Sequence, residues 1–337
     1  MILMTPFFVF VTCYGLFVVR PKKRSVIAII GALVVVFSGS LNWRQAVLEC
    51  IPWNVIGLFF GTLLLAEYFS DSRMPAVIAE KLVDSTGTLR SAMFAICAFS
   101  SGISMFVENV AVVLIVAPVA LSLTEKLKVS PVKLLILIAL SSNLQGTATL
   151  VDDPPSMILA GHLRMTFNDF FVYQGRPGIF FLVQAGAIGA AFIIAFCPRK
   201  HREAVKLVKV EKVKSYVPSV LMLVLIGCLS LSSLWDRDFK WFAGAFAMTL
   251  GCGGLIWYRF QARWGRIRKL LAMLDWDTTF YMIGVFVLVG GVSKAGWLNS
   301  LAQGLMKVIG SNSVRAYVFI VGLAVSAASF FLWMIWN

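Results

Sequence analysis

Two short polar motifs interrupt long apolar stretches of this chain, and both carry side chains that bind ions. Glu108 and Asn109 stand near the centre of the apolar run 91–123. The second motif spans residues 141–156 and ends in the sequence Asp-Asp-Pro-Pro-Ser. Ionisable residues are rare inside apolar segments, because their charged forms are costly to remove from water, and they commonly mark an ion or substrate path. Both motifs are therefore candidate ion or substrate sites.

The second motif also breaks the helix that its apolar flanks predict. Pro154 and Pro155 have no backbone N–H donors, and Gly146 loosens the backbone before them. Unwound backbone at membrane depth is tolerated only where protein or a water-filled cavity surrounds it, and such breaks hold the binding sites of many transporters. We therefore expect a broken helix over 132–165.

Oxygen-bearing groups cluster around this break. Asn143, Thr147 and Thr149 provide amide and hydroxyl oxygens, and unwound carbonyls near Gln145 and Gly146 would complete the shell of a hard cation such as Na⁺. The alternative role for these small polar side chains is hydrogen bonding between helices, and for Thr149 the two roles are equally supported.

The charged and capping residues also have two roles each. Glu108 would bind a cation or a proton; its alternative is to cap a helix or pair with a lysine. The adjacent Asp152 and Asp153 repel each other when both are ionised, so one of them faces the site. Ser156 would cap the half-helix that follows, whose N-terminal dipole favours an anion. Glu67, near the end of another apolar segment, is interpreted as an interfacial residue.

The composition is that of a polytopic membrane protein. The chain has 337 residues, of which 59% are hydrophobic and 14% charged, and its mean hydropathy is +0.87. A net charge of +14 would suit nucleic-acid binding, but the positive charge lies in short clusters between apolar runs, as orientation in a membrane requires. We therefore expect the bilayer, and no nucleic acid, as a partner.

Patterns of the common enzymes are missing from the sequence. It has no HExxH motif, no glycine-rich phosphate loop followed by lysine, and no histidine and aspartate set to activate Ser100, Ser101 or Ser104. The six cysteines show no CxxC spacing, which argues against a disulfide framework or a metal site. We therefore expect no enzyme, no ATP dependence and no cofactor beyond a coupling Na⁺ or H⁺.

Apolar periodicity predicts the membrane segments. Spans are expected at about 1–19, 25–42, 53–69, 178–197, 216–234, 240–258 and 276–292. Basic residues follow the first span and none precedes it, which indicates a retained helix with its N-terminus outside. Residues 73–90 have an apolar face that includes Val77 and Ile78, with Glu80 elsewhere, and predict an interfacial helix.

Charge distribution decides how the long run 91–123 is folded. It holds about 33 residues, more than the roughly 20 of one crossing and fewer than two crossings with a loop need. A re-entrant hairpin over 91–124 would return the chain to the side it came from. The four basic clusters at 20–24, 126–133, 199–214 and 259–269 then all face the cytoplasm, as the positive-inside rule requires.

A weak internal repeat divides the chain. The segment 51–61 aligns with 274–284, which matches Trp53 to Trp276 and Gly61 to Gly284. The predicted directions of the two copies are opposite, which is the inverted-repeat arrangement of many secondary transporters. We expect a first repeat over 1–198, a basic cytoplasmic linker over 199–215, and a second, incomplete repeat over 216–337.

These motifs resemble those of the ion transporter superfamily, which includes ArsB-type arsenite permeases, NhaD-type sodium/proton antiporters, the P protein, and citrate or dicarboxylate carriers. The resemblance rests on the sequence 106–110, on Ala117-Pro118, and on the sequence 142–155. In that family the first motif is a hairpin tip and the second an unwound helix, and together they form half of the transport site. The chain departs from the family pattern in having Glu108, Gln145 and Ser156, where Asp, Gly and Asn are usual.

The resemblance implies an all-α polytopic protein of the inner membrane with a re-entrant hairpin and a broken helix. It implies ion-coupled alternating access for arsenite or another inorganic anion, for Na⁺/H⁺ exchange, or for citrate or a dicarboxylate, in a carrier that is often a homodimer. The residues that the resemblance assigns to the substrate or ion site are Glu108, Asn109, Asn143, Gly146, Thr147, Thr149, Asp153 and Ser156. Asp153 is chosen because it matches the family's Asp-Pro-Pro. The resemblance also implies that roughly the last quarter of such a carrier is missing, so the alternative is a subunit or fragment that is inactive without a partner.

Overall fold

The computed structural model describes residues 4–126, 129–151, 154–195, 212–236, 239–261, 272 and 274–309. Most of them are helical, in agreement with the predicted all-α class. The helices are α1 (Thr5–Val19), α2 (Arg24–Phe37), α3 (Trp53–Asp71), α4 (Met74–Asp84), α5 (Leu89–Ser104), α6 (Asn109–Lys126), α7 (Val132–Gly146), α8 (Pro154–Leu163), α9 (Ile179–Ala195), α10 (Val217–Trp235), α11 (Phe242–Gln261), α12 (Trp276–Lys294) and α13 (Trp297–Ile309). Short helical turns occupy Pro21–Lys23, Gln45–Cys50 and Phe167–Phe170.

Several of these helices have the length and composition of membrane spans. Among the described residues, α3, α6 and α12 are long and apolar enough to cross a bilayer, and α1, α5, α7, and the apolar parts of α9 and α10 are shorter apolar helices. The chain is thus a polytopic membrane protein. It forms two compact units, one of residues 1–51 with 284–337 and the other of residues 52–283.

The larger unit is built on α3 and α11, which run parallel and in close contact. Asn54 ties their first turns together, because its amide donates to the Phe239 carbonyl (2.9 Å) and accepts from the Gly244 N–H (2.6 Å). A Cβ at Gly61 would overlap the backbone of Ala247, so the glycine permits this approach. At the far end, the buried Tyr68 hydroxyl donates to the Gly251 carbonyl (3.0 Å). Parallel helices cross in the same direction, as the charge distribution predicts for these two segments.

The last turn of α3 also anchors neighbouring segments. The Asp71 carboxylate pairs with the Lys214 ammonium group (2.9 Å) and accepts a hydrogen bond from the Tyr258 hydroxyl (2.9 Å). The Lys214 backbone N–H donates to the Ser72 carbonyl (3.0 Å). The last part of the predicted linker, at Lys214, is therefore fastened beside the end of α3.

The smaller unit contains a second parallel pair, α2 with the later part of α12. A Cβ at Gly284 would lie 2.6 Å from the Ala28 carbonyl carbon, and one at Gly291 would lie 2.8 Å from Val35 Cγ1. Gly61 and Gly284, which the repeat matches, thus each bring their helix against a helix from the other half of the sequence. This reciprocal packing explains why the compact units do not coincide with the halves, and the division into two repeats stays a prediction. The predicted linker lies mostly outside the described residues, so the boundary at 198–199 stays a prediction.

The apolar run 89–126 folds as a hairpin, slightly longer than predicted. Thr88 begins α5 with a capping box, in which Thr88 and Ser91 each accept a hydrogen bond from the other's backbone N–H. Ser101 and Ser104 of α5 bond to Ser141 and Ser142 of α7 in the same order, which indicates that these two helices are parallel. Helix α6 starts at the tip and packs against α4, which precedes α5, as expected for a chain that turns back. A hairpin of any depth returns the chain to the side of the membrane from which it entered. This return is needed if all four basic clusters are to lie on the cytoplasmic side.

The predicted broken helix is present, with α7 ending at Gly146 and α8 starting at Pro154. After α8, a small β-hairpin pairs β1 (Val172–Tyr173) with β2 (Arg176–Pro177). Its turn needs a positive φ at both Gln174 and Gly175.

An aspartate between α10 and α11 fixes the start of α11. Asp236 accepts hydrogen bonds from the backbone N–H groups of Lys240, Trp241 and Phe242, each at 2.9 Å. Burial raises the pKa of Asp236, but these donors and the Lys240 charge outweigh burial and hold its pKa below the ordinary value.

Helix α4 corrects one expectation. Glu80, predicted to lie away from its apolar face, is buried, while Ile78 is only half-buried. The reason is that α4 packs against α3, α5 and α6, so more than one of its faces is covered.

Candidate functional site

The hairpin tip and the helix break lie side by side, as the two motifs predict. The Asn109 amide, at the start of α6, donates to the Asn143 side-chain oxygen on α7 (3.5 Å). Behind this pair, the buried Ser142 hydroxyl donates to that of Ser104 (2.9 Å), and Ser104 donates to the Asn109 side-chain oxygen. A chain of hydroxyl and amide groups therefore joins α5, α6 and α7 at one point.

Glu108 faces a different neighbour from Asn109. Its carboxylate accepts a hydrogen bond from the Ala111 N–H (3.0 Å), so it caps α6, which is one of the two roles considered for it. It also lines a cavity of about 10 Å³ against α3, with Phe59, Thr62, Leu63, Ala66, Phe106 and Val151. The tip thus presents an amide to the break and a carboxylate to α3.

Thr149 and Thr147 mainly hold the break in place. The buried Thr149 hydroxyl donates to the Met105 carbonyl at the hairpin tip, and it accepts from the Val151 N–H (3.3 Å). Thr147 donates to the Leu144 carbonyl of its own helix (2.8 Å). For Thr149 this is the interhelical role, and it fixes the distance between the tip and the break.

Ser156 does not cap α8, which corrects the expectation from sequence. It is the third residue of that helix, is buried, and donates to the Thr147 carbonyl (3.5 Å), so it links the two half-helices across the break. Gly146 is buried at the end of α7. Asp153, together with Asp152, lies outside the described residues, and its place in the site stays a prediction.

An amide pair that the sequence reasoning missed fastens α9 to the break. Gln145 and Gln184 each donate to the other's side-chain oxygen, at 3.1 and 3.0 Å. Beside them lies a cavity of about 270 Å³, whose polar lining comes from both glutamines, Ser101 and Ser141. The available signal was that Gln184 is the one strongly polar residue in the apolar sequence of α9.

Glu67 is a second residue whose surroundings the sequence did not indicate. The sequence predicts an interfacial position for it. Its carboxylate, however, interacts electrostatically with that of Glu108 at the hairpin tip, as well as with Asp71. It is half-buried on α3.

Comparison with known proteins extends over nearly the whole chain. Residues 14–334 match the family described as citrate transporter (CitMHS). An uncharacterized transporter of Mycobacterium tuberculosis is 25% identical over 329 residues, which cover 94% of this chain and 74% of that protein. An uncharacterized transporter of Synechocystis sp. is 26% identical over 310 residues, covering 89% and 68%.

The P protein of Mus musculus is 29% identical over 164 residues, covering 47% of this chain and 20% of that protein. The resemblance suggested by the two motifs is thus confirmed by the family match over residues 14–334, which include both motifs. With its hairpin, its broken helix and a family match over most of its length, the chain belongs to the citrate transporter family of the ion transporter superfamily.

Proposed function

We propose that this protein is a secondary carrier of the inner membrane that moves a small carboxylate of the citrate class by alternating access, coupled to Na⁺ or H⁺. The observation that carries the proposal is the meeting of the hairpin tip and the helix break through Asn109 and Asn143. The start of α6 and the end of α7 meet there, and secondary transporters build midplane sites from such helix ends.

The chemistry of this junction suits an anion beside a cation. Asn109 starts α6, so a carboxylate cargo at the Asn109–Asn143 pair would meet amide donors and the positive end of a helix dipole. The Asn143 side-chain oxygen and the carbonyls near Gly146 are suitable for a hard cation, and the neighbouring Glu108, whose carboxylate faces α3, adds a negative charge. Tying the two binding events together would couple uphill cargo movement to a downhill ion gradient.

Thr149 and Ser156 support this role as positioning residues. Their hydrogen bonds join the break to the hairpin tip and one half-helix to the other. A site assembled from two separate segments needs such links, because small displacements of ligand groups weaken binding strongly.

The proposal is tested by transport into proteoliposomes that contain the purified full chain. Labelled citrate, arsenite and Na⁺-dependent proton movement are followed in turn, each under an imposed pH or Na⁺ gradient. We expect gradient-stimulated citrate uptake that is lost in Asn143→Ala and retained in Thr249→Ala, whose hydroxyl bonds only within α11.

Each other result has a defined meaning. Arsenite uptake without citrate uptake would identify arsenite, and not a carboxylate, as the cargo. Na⁺/H⁺ exchange without any cargo would identify the protein as an antiporter. Inactivity with all three cargoes, from correctly inserted protein, would contradict the proposal and favour a membrane subunit that depends on a partner.

A further inference from the structure

Glu67 is a carboxylate within a membrane-spanning helix. It and Asp71 are the two charged residues of α3. Asp71 is paired with Lys214 and Tyr258, whereas Glu67 makes no hydrogen bond or ion pair among the described residues. An intramembrane carboxylate is retained at a free-energy cost, which indicates a functional role.

The position of Glu67 connects it to the candidate site. Leu63, which lines the small cavity with Glu108, precedes Glu67 by four residues, so the two share a helix face and are separated by about 6 Å along the axis. The cavity volume of about 10 Å³ is close to that needed for one water molecule, and both Thr62 and Glu108 provide polar walls. A single water there would shorten the path between the two carboxylates.

A second step of the same length leads from Glu67 to the end of α3. Asp71 follows Glu67 by another four residues, again about 6 Å along the axis. The side chains of Asp71 and Lys214 are 35% and 45% exposed, so water reaches this end. The three carboxylates of Glu108, Glu67 and Asp71 therefore form a series from the hairpin tip to the predicted cytoplasmic surface.

Other ionisable groups also lie on the helices packed against α3. Glu108 and Asp71 are the strongest electrostatic partners of Glu67. The remaining charged groups on these helices are Glu80, Lys81 and Asp84 of α4, Glu125 and Lys126 of α6, His162 of α8 and Arg259 of α11.

We propose that Glu67 carries the coupling proton between Glu108 and the cytoplasmic end of α3; this rests on the proposed function and names H⁺ as its coupling ion. In the inward step, the O–H bond of protonated Glu108 breaks and its proton passes through water to the Glu67 carboxylate. Glu108 is then ionised and Glu67 neutral. Glu67 next releases the proton to water beside Asp71 and regains its charge.

The test compares two modes of transport in Glu67→Gln proteoliposomes. Exchange of labelled for unlabelled citrate at equal pH needs no net proton release, so we expect it to persist. Accumulation driven by a pH gradient needs proton release in every cycle, so we expect it to be lost. Glu67→Asp should recover part of the accumulation, and Glu125→Gln, which changes an exposed glutamate of α6, should retain both modes.

Retained pH-driven accumulation in Glu67→Gln would overturn the proposal. Loss of both exchange and accumulation would also overturn it, provided that the melting temperature of the variant is unchanged. Failure of the proposed function is distinguishable, because then the wild-type protein shows neither mode with citrate. In that case the infrared band of protonated carboxyl groups in the detergent-solubilised protein still tests Glu67. A pH-dependent part of this band must disappear in Glu67→Gln, and an unchanged band would refute the role.

Discussion

Neighbouring residues at the hairpin tip have separate tasks. Asn109 joins the tip to the break, while Glu108 caps α6 and faces α3. A carboxylate that caps a helix stabilises the fold, and its charge is also available to an ion. Substitutions of different chemistry separate the two contributions.

Glu108→Gln should abolish transport while leaving membrane insertion and melting temperature unchanged. The glutamine oxygen still accepts the Ala111 N–H, but the negative charge for a proton or cation is lost. Glu108→Ala should also lose the cap and destabilise the protein by about 1 kcal/mol. Thermal melting in detergent and vesicle uptake measure the two effects.

The same loss of transport is expected for Asp153→Asn, on the basis of its sequence motif alone. Unchanged uptake in both Glu108→Gln and Asp153→Asn would refute the assignment of the site.

At the scale of elements, the parallel pair α3 and α11 forms the framework on which the site is built. Its close approach depends on glycines whose neighbours are backbone atoms, which cannot move aside as a flexible side chain can. The framework should therefore be sensitive to a single added methyl group at some positions and tolerant at others.

Gly244→Ala should destabilise the protein by about 1–3 kcal/mol, because the new Cβ would overlap the Asn54 carbonyl. Gly253→Ala is the matched control on the same helix, since no atom lies within 4 Å of its added Cβ. It should be neutral or stabilise the helix by up to about 1 kcal/mol. Equal shifts in melting temperature for both variants would contradict the packing of α3 on α11.

The amide pair between α7 and α9 predicts energetic coupling between these helices. Gln145→Leu or Gln184→Leu alone leaves the other amide without its partner, whereas the double variant removes both groups. A double-mutant cycle should therefore give a coupling energy of roughly 1 kcal/mol. Gln145→Leu combined with Thr249→Val should be additive, and additivity of the glutamine pair itself would rule out the link.

At the scale of the whole molecule, each compact unit contains a parallel helix pair with one partner from each half of the sequence. Such an exchange makes the halves interdependent, because α3 packs closely on α11 and α12 on α2, each a helix of the other half. The direction of α3 is then linked to that of α11, and the direction of α2 to that of α12. Mapping the side of the membrane on which each loop lies tests the predicted directions of the spans together.

Reporter fusions in the loops 126–133 and 199–214 should both report the cytoplasmic face. The hairpin returns the chain before the first loop, and the broken helix and α9 then cross outward and back before the second. Reporters on opposite faces would disprove the hairpin topology. A reporter in the β1–β2 turn at 174–175 should lie on the other face and serves as the control.

Much of the secondary structure followed from local chemistry. Apolar runs of span length predicted α3, α10, α11 and α12 within a few residues, because backbone groups in a bilayer are satisfied inside a helix. Gly146 and the two prolines predicted the break for the same local reason, since they interrupt helical hydrogen bonds. The basic clusters indicated a chain that returns through a hairpin.

The sequence by itself determined the membrane class, most of the helices, the hairpin and the break, and it marked Glu108, Asn109 and Asn143. It could not determine which helices meet, because a side chain on an apolar helix has no local signal for its partner. Tertiary structure decided that Asn54 joins α3 to α11, that Gln145 pairs with Gln184, and that Ser156 links the half-helices. It also placed Glu67 within electrostatic range of Glu108, because only the packing of the hairpin tip against α3 brings residues so distant in sequence together.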